Sequence, residues 1–341
     1  MALPCWIATG GNCTAVSMMQ KLVQGQYLLN MQIICVKNTY GDDVMPNYID
    51  FTNCKRVLGK AYNGANGKKI AVEYNGNHYM IKFPPSAAKK KNELLYSNSC
   101  YSEHIASSIF NLIGITAHET LLGTFMVNGK EKVVCACKDF TAEGKQLFDF
   151  CSIKNTVIDS EHGGTGTELD DLQETIAKQQ YINPKELSDH FWDVFIVDAL
   201  LGNFDRHNGN WGFLFDSVTQ MAEIAPVYDC GSCLLPQADD TVMERVLNNE
   251  DELNARIYQF PQSMLKKDGK KINYYDFLMA MEEKACTEAL IRIYPRINLV
   301  QIIEFVQTVP YITELQKRFY IQYISARFDK ILTPAYQKAI Q

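Results

Sequence analysis

The sequence predicts an α+β chain with a small antiparallel-sheet lobe followed by a larger helical lobe. Three observations lead there. Residues 49–140 carry strand signals with one helical stretch, including the turn dipeptides Asn75-Gly76 and Asn128-Gly129 between apolar, extended runs. Residues 145–341 are mainly helical in pattern. Between the helices lies a polar stretch, Asp205 to Asn210, followed by two strand-like runs.

The expected division is an N-terminal extension at 1–44, a small lobe at 45–140 and a helical lobe at 141–341. Met1 to Gln20 has no charged side chain, but Thr9 to Asn12 interrupts its apolar character. It lacks the basic start and continuous apolar core of a signal peptide, and it is too broken for a membrane span. Residues 1–44 therefore read as a weakly ordered extension or an upstream start-site reading.

Composition is ordinary for a globular chain: 47% hydrophobic and 21% charged. A net charge of −6 argues against nucleic acid or an anionic membrane as an obligatory partner. The basic runs Lys89 to Lys91 and Lys266 to Lys271 read as solvated loops. The eleven cysteines are scattered and many have apolar neighbours, which suggests reduced thiols and a cytoplasmic setting. Cys230 and Cys233 form a CxxC with no second CxxC to complete a zinc site, so they read as filler.

In the small lobe, Tyr62 to Lys69 is a Gly-rich loop, and Gly64, Ala65, Asn66, Gly67 and Lys68 are its candidate phosphate contacts. Such a loop lets backbone N–H groups approach phosphate oxygens. Lys82 follows in the apolar strand Tyr79 to Phe83. Charged groups are seldom buried unpaired, so Lys82 needs a carboxylate. The candidate is Glu103, near the first turn of a helix with Ile105, Ile109 and Leu112 on its apolar face. The alternatives are an exposed helix-end carboxylate and an edge-strand lysine. After the second hairpin, Lys138, Asp139 and Phe140 leave the strand.

In the large lobe, Phe191 to Leu201 is helical and Gly202 is placed to end it. Trp211 to Phe215 and Met221 to Tyr228 read as two strands with a turn near Asp216 to Gln220. Their midpoint near residues 219 and 220 puts Asn210 and Asp229 opposite each other at the open end. Opposed positions bring Cβ atoms to roughly 5 Å. An amide oxygen and a carboxylate at that spacing suit a hard cation such as Mg²⁺. Asp205 lies just upstream and faces the same site without ligating. His207 either partners Asp205 or a phosphate, or supports the loop; Arg206 is open between phosphate contact and exposed loop. The Gly-rich stretch Asp159 to Glu168 reads as a linker, and helices are expected at 170–180, 184–201, 274–285, 299–308 and 312–331.

These are the parts of a phosphoryl-transfer site, which positions a nucleophile and neutralises charge. Asp205 to Asn210 keeps the D-x4-N spacing and Asp229-Cys230-Gly231 the D-x-G form, although Asn203-Phe204 stands where kinases carry His-Arg. With Tyr79 to Pro85 (YMIKFPP), Gly202 to Phe213 (GNFDRHNGNWGF) and Pro226 to Ser232 (PVYDCGS), the chain resembles the HipA-like kinases, and among them the cell-translocating kinases, over roughly residues 46–330.

That resemblance implies a two-lobed protein-kinase-like fold and transfer of the ATP γ-phosphate to Ser or Thr of a protein, itself included. It implies ATP and Mg²⁺ as cofactors: Asp205 as acceptor base, Asn210 and Asp229 on the metal, Lys82, positioned by Glu103, on the α/β-phosphates, and backbone groups of Lys138, Asp139 and Phe140 on the nucleotide base. Relatives of this kind act in host cells, although no export signal is visible. The rival readings are a phosphotransferase for a small molecule or lipid, and a nucleotide-binding pseudokinase module.

Overall fold

The computed structural model of the 341-residue chain describes residues 48–60, 68–85, 97–141 and 144–341. The expected N-terminal extension and the loop residues Gly64, Ala65, Asn66 and Gly67 lie outside the described residues. Tyr48–Gln341 form one unit.

The small lobe is a five-stranded antiparallel sheet of β1 (Lys55–Arg56), β2 (Lys69–Tyr74), β3 (Asn77–Lys82), β4 (Thr120–Val127) and β5 (Lys130–Lys138), in the order β1-β2-β3-β5-β4. Both expected hairpins form. Asn75 and Gly76 have φ of 47° and 73°, and Asn128 and Gly129 have 50° and 73°. Positive φ at both central residues is the turn whose twist matches paired strands. Alternation then sorts the side chains. Tyr79 and Ile81 on β3, with Val134 and Ala136 on β5, enter one apolar core with Phe51 and Val72. Lys82, Cys135 and Cys137 point to the other face, and Lys82 pairs with Cys135 in register.

That second face is covered by α1 (Ser99–Ile113), whose Ile105, Ala106 and Ile109 are fully buried. Both ends of α1 are fastened to the large lobe. At the start, Asn98 donates its N–H to Pro236 O at 3.0 Å and its side-chain amide to Ala238 O. At the end, Gly114 takes the left-handed conformation (φ 83°) while Arg296 donates to the carbonyls of Ile113 and Gly114 at 2.9 and 2.7 Å.

The large lobe opens with a ribbon of β6 (Lys145–Asp149), β7 (Gly212–Asp216) and β8 (Met221–Ile224), ordered β6-β7-β8. Helices α2 (Phe150–Val157) and α3 (Leu169–Lys178) precede the central helix α4 (Pro184–Leu201). Asn183 caps α4, Pro184 opens it and Gly202 ends it at φ 64°. Trp192, Ile196, Val197 and Leu200 are buried along several faces of α4, as expected of a helix packed on all sides.

The rest comprises α5 (Asp240–Asn248), α6 (Glu250–Tyr258), the short hairpin β9 (Lys266–Lys267) and β10 (Lys270–Lys271), α7 (Tyr274–Ala280), α8 (Lys284–Ile293), α9 (Leu299–Thr308), α10 (Glu314–Arg327) and α11 (Thr333–Ala339). The helix expected over 274–285 is two helices, because Met281 turns left-handed at φ 56°. The one expected over 312–331 passes at Phe328 into a π-helical segment. The expected linker at 159–168 is pinned instead: Asn208 donates to Gly164 O and Gly166 O, and buried Lys154 donates to Gly166 O at 2.8 Å. Among the described residues no helix is long and apolar enough to cross a membrane.

Candidate active site

The loop after Gly202 is built around a buried ion pair. Asp198, in the last turn of α4, is 2% exposed. It accepts from Asn203 Nδ2 at 2.9 Å and from Arg206 Nε at 2.9 Å and Nη2 at 3.2 Å. Burial opposes the Arg206 charge, but Asp198 outweighs it and holds the guanidinium well above its usual range. Nη1 of the same guanidinium donates to Asn210 O at 3.1 Å and Tyr228 O at 2.5 Å. Arg206 is therefore neither an exposed loop residue nor turned to solvent for phosphate; it ties the loop to the segment carrying Asp229.

That clamp replaces the expected strand geometry. Phe213 pairs with Ile224 and Asp216 with Met221, a register that sets residue 210 against 227 rather than 229. Pairing ends where Ala225 N donates to Gly212 O. Val227 then turns to the small lobe, donating to Thr116 O at 2.9 Å and accepting from His118 N at 2.8 Å. Asn210 and Asp229 are thus not opposed in a ladder. Arg206 brings their neighbouring backbone together instead.

Within the loop, Asn203 Oδ1 accepts the Asp205 N–H, and Asn210 Nδ2 donates to Asp205 O at 2.7 Å. With Nδ2 committed, Oδ1 is the Asn210 atom suited to a cation. His207 Nδ1 accepts the Gly209 N–H at 3.0 Å, so its ring braces the loop. Asp205 is half-buried; burial raises its carboxyl, and the Asp229 charge adds to this against His207, Lys271 and Arg206.

From the small lobe, Lys82 Nζ lies 2.9 Å from Glu103 Oε2 and 2.8 Å from Asp229 Oδ1. Glu103 is 1% exposed. Burial works against the Lys82 charge, but Asp229 and Glu103 more than offset it and raise its pKa well above the ordinary lysine value. Reciprocally, Lys82 pulls the Asp229 carboxyl far below the usual range. Asp229 sits at φ 58°, a conformation that non-glycine residues seldom hold. At Gly231 of the D-x-G form a Cβ would lie 3.3 Å from Glu103 Oε2, a tight contact with the Lys82 partner. Lys69, opposite Lys82 in the β2–β3 register, shares that face of the sheet, and its pKa is lowered by burial and by the Lys82 charge.

At the end of β5, Lys138 N donates to Glu119 O and Asp139 N to His78 O, both at 2.8 Å. The Lys138 and Asp139 N–H groups expected for a nucleotide base are thus already used. The Lys138 side chain pairs with Glu119, and Asp139 pairs with Lys60. Phe140 packs against His118 at 4.8 Å and Tyr228 at 5.8 Å. Lys68 lies over the Phe83 ring at 5.5 Å.

Glu103, His118 and Cys137 form a second donor cluster, with ligand atoms within 4.8 Å of one another. The Lys82 ammonium on Glu103 opposes another cation there. Cys230 and Cys233 are fully buried free thiols beneath the Asp229 turn, and Arg206 Nη2 reaches Cys230 Sγ at 3.5 Å.

Asp198, Asn203 and Asn208 escaped the sequence reading. Asp198 had one signal, a lone acid in the apolar run Phe191 to Leu201.

The HipA-like C-terminal domain family matches residues 61–295, and the chain belongs to that family, in the two-lobed α+β kinase-like fold. The chain is 51% identical to the serine/threonine-protein kinase CtkA of Helicobacter pylori (strain J99) over 294 residues, 86% of this chain and 89% of that protein. It is similar to the crystal structure of a Helicobacter pylori proinflammatory kinase CtkA, with TM-score 0.81 and 50% identity, covering 86% of this chain and 98% of that one. The HipA of a Shewanella oneidensis MR-1 toxin–antitoxin complex with HipB and operator DNA gives TM-score 0.49 at 17% identity, over 83% of this chain and 70% of that one.

Proposed function

We propose that this chain is an ATP- and Mg²⁺-dependent serine/threonine protein kinase that also phosphorylates itself. One observation carries the reading: Lys82 spans Glu103 and Asp229 at 2.9 and 2.8 Å, while Arg206 locks the Asp205 loop to Tyr228, beside Asp229. A cation thus touches both its paired acid and a metal-type acid, and the loop carrying an acceptor-type acid is tied to the segment that holds the latter. The name of the Helicobacter pylori relative supports the same class.

The donor set fits Mg²⁺: Asp229 and Asn210 offer hard oxygens, and Lys82 engages only Oδ1 of Asp229. When bound, Mg²⁺ supplies charge neutralisation on phosphate oxygens. Lys82 would hold the α/β-phosphates, kept in place by Glu103. With the neighbouring N–H groups used, the Phe140 backbone is the assigned contact for adenine. Asp205 would orient the acceptor hydroxyl and take its proton; its raised carboxyl makes it a better base than a solvated aspartate. His207 and Asn210 would hold the loop in that orientation.

The test is incubation with γ-labelled ATP and Mg²⁺. Label on the chain itself and on added protein serine or threonine supports the proposal. Label moving only to a lipid or small molecule, or ATP bound without turnover, contradicts it.

A further inference from the structure

Residues 261–274 press against the Asp205 loop from below. A Cβ on Gly202 would meet Pro261 Cγ at 3.0 Å. Ser263 and Leu265 line one cavity with Asp198, Arg206 and Asn208. Tyr274, 1% exposed, donates its hydroxyl to Asn203 O at 2.6 Å, two residues before Asp205. The β9–β10 hairpin is strung between these anchors.

It is an unusual hairpin. Asp268 and Gly269 turn it at φ 55° and 75°, and every paired residue is a lysine: Lys270 faces Lys267 and Lys271 faces Lys266. Like charges directly opposed destabilise a strand pair. The pinned loop holds it nonetheless, with Lys266 N donating to Thr167 O and Gly269 N to Glu168 Oε2. Lys267 is matched by Glu282 at 2.6 Å. Lys270 and Lys271 are exposed, and among the described residues no carboxylate pairs with them. The Lys271 charge also acts on Asp205, and three residues further on Tyr274 holds the Asn203 carbonyl of the same loop.

We infer that this lysine ribbon selects the acceptor: a protein segment with aspartate or glutamate flanking the serine or threonine. The inference rests on the kinase reading above. Such a segment would be repelled by ATP and by Asp205 and Asp229, and Lys270 and Lys271 offset that repulsion. An acidic peptide fits better than a nucleic acid. Asp268 stands at the ribbon's turn and Glu282 pairs with its Lys267, the chain is net −6, and two unpaired lysines match one or two carboxylates rather than a polyphosphate.

The experiment compares two synthetic serine peptides, one flanked by Asp and Glu and one by Asn and Gln. The acidic peptide should show a kcat/KM about fivefold higher, expressed in KM and shrinking at high salt. In Lys270→Glu/Lys271→Glu, checked for folding by its unchanged thermal midpoint, the preference should vanish or reverse. If peptides are poor acceptors, their binding measured by fluorescence anisotropy reads the same ratio. Equal values for the two peptides, or a preference surviving in the variant, overturn the inference. So does lysine-dependent inhibition by single-stranded RNA without discrimination between peptides. Loss of all transfer, self-labelling included, in the wild type would instead sink the kinase reading.

Discussion

Arg206 donates to the carbonyl of Tyr228 at 2.5 Å, so the residue after Asp205 holds the residue before Asp229. The two acids keep their relative position through a guanidinium anchored on Asp198 rather than through a strand pair.

Arg206→Ala should therefore cost stability and catalysis together. It leaves Asp198 buried without a cation, a loss of about 3–5 kcal/mol. Arg206→Lys keeps a charge for Asp198 but cannot also reach the Asn210 and Tyr228 carbonyls. Urea denaturation should rank wild type above Arg206→Lys above Arg206→Ala. The lysine variant should lose far more activity than its stability loss explains. Retention of wild-type turnover in Arg206→Lys would show that the clamp does not position the acids.

Lys82→Met strands Glu103, buried and without its cation, and should abolish transfer while lowering stability by about 3 kcal/mol. The double variant Lys82→Met/Glu103→Gln should recover stability but not activity, as read by denaturation midpoints and γ-labelled ATP. The pH signs also follow. Lys82 lowers the Asp229 carboxyl, so that contribution is present above the ordinary aspartate range and is lost as pH falls through the folded value. The raised Lys82 value gives a contribution present below the ordinary lysine range and lost as pH rises through its folded value. Between the two windows the pair should be insensitive to pH.

Three histidines set a further window. Burial brings His104, His118 and His190 from 6.5 to about 4. The unfolded chain then binds protons that the folded one refuses. Stability should be full above pH 6.5 and fall as pH drops toward 4, each histidine contributing a slope of up to about 1.4 kcal/mol per pH unit. Urea midpoints against pH should show this slope, and His190→Gln should lessen it. A flat profile between pH 6.5 and 4.5 would remove the histidines as its cause.

Local chemistry made much of the molecule legible. Asn75-Gly76 and Asn128-Gly129 announced their hairpins, Pro184 and Gly202 bracketed α4, and Lys82 in an apolar strand demanded the carboxylate that Glu103 supplies. What stayed hidden depends on distant partners. The β7–β8 register is set where Val227 leaves to pair with residues 116 and 118. Arg206 gained its role only when folding placed Tyr228 beside it. Asn208 reads as a turn residue until Gly164 and Gly166 arrive. The break at Met281 carried no glycine or proline to mark it, and Gly144 before strand β6 marks a turn without saying that a strand follows.

Calorimetry of Mg²⁺–ATP binding tests the central claim most directly, with wild type, Asp205→Asn and Asp229→Ala compared side by side. If Asp229 serves the metal and Asp205 the acceptor, wild type and Asp205→Asn should bind with the same affinity, while Asp229→Ala binds at least tenfold more weakly. Equal affinity in all three proteins would contradict that division of labour.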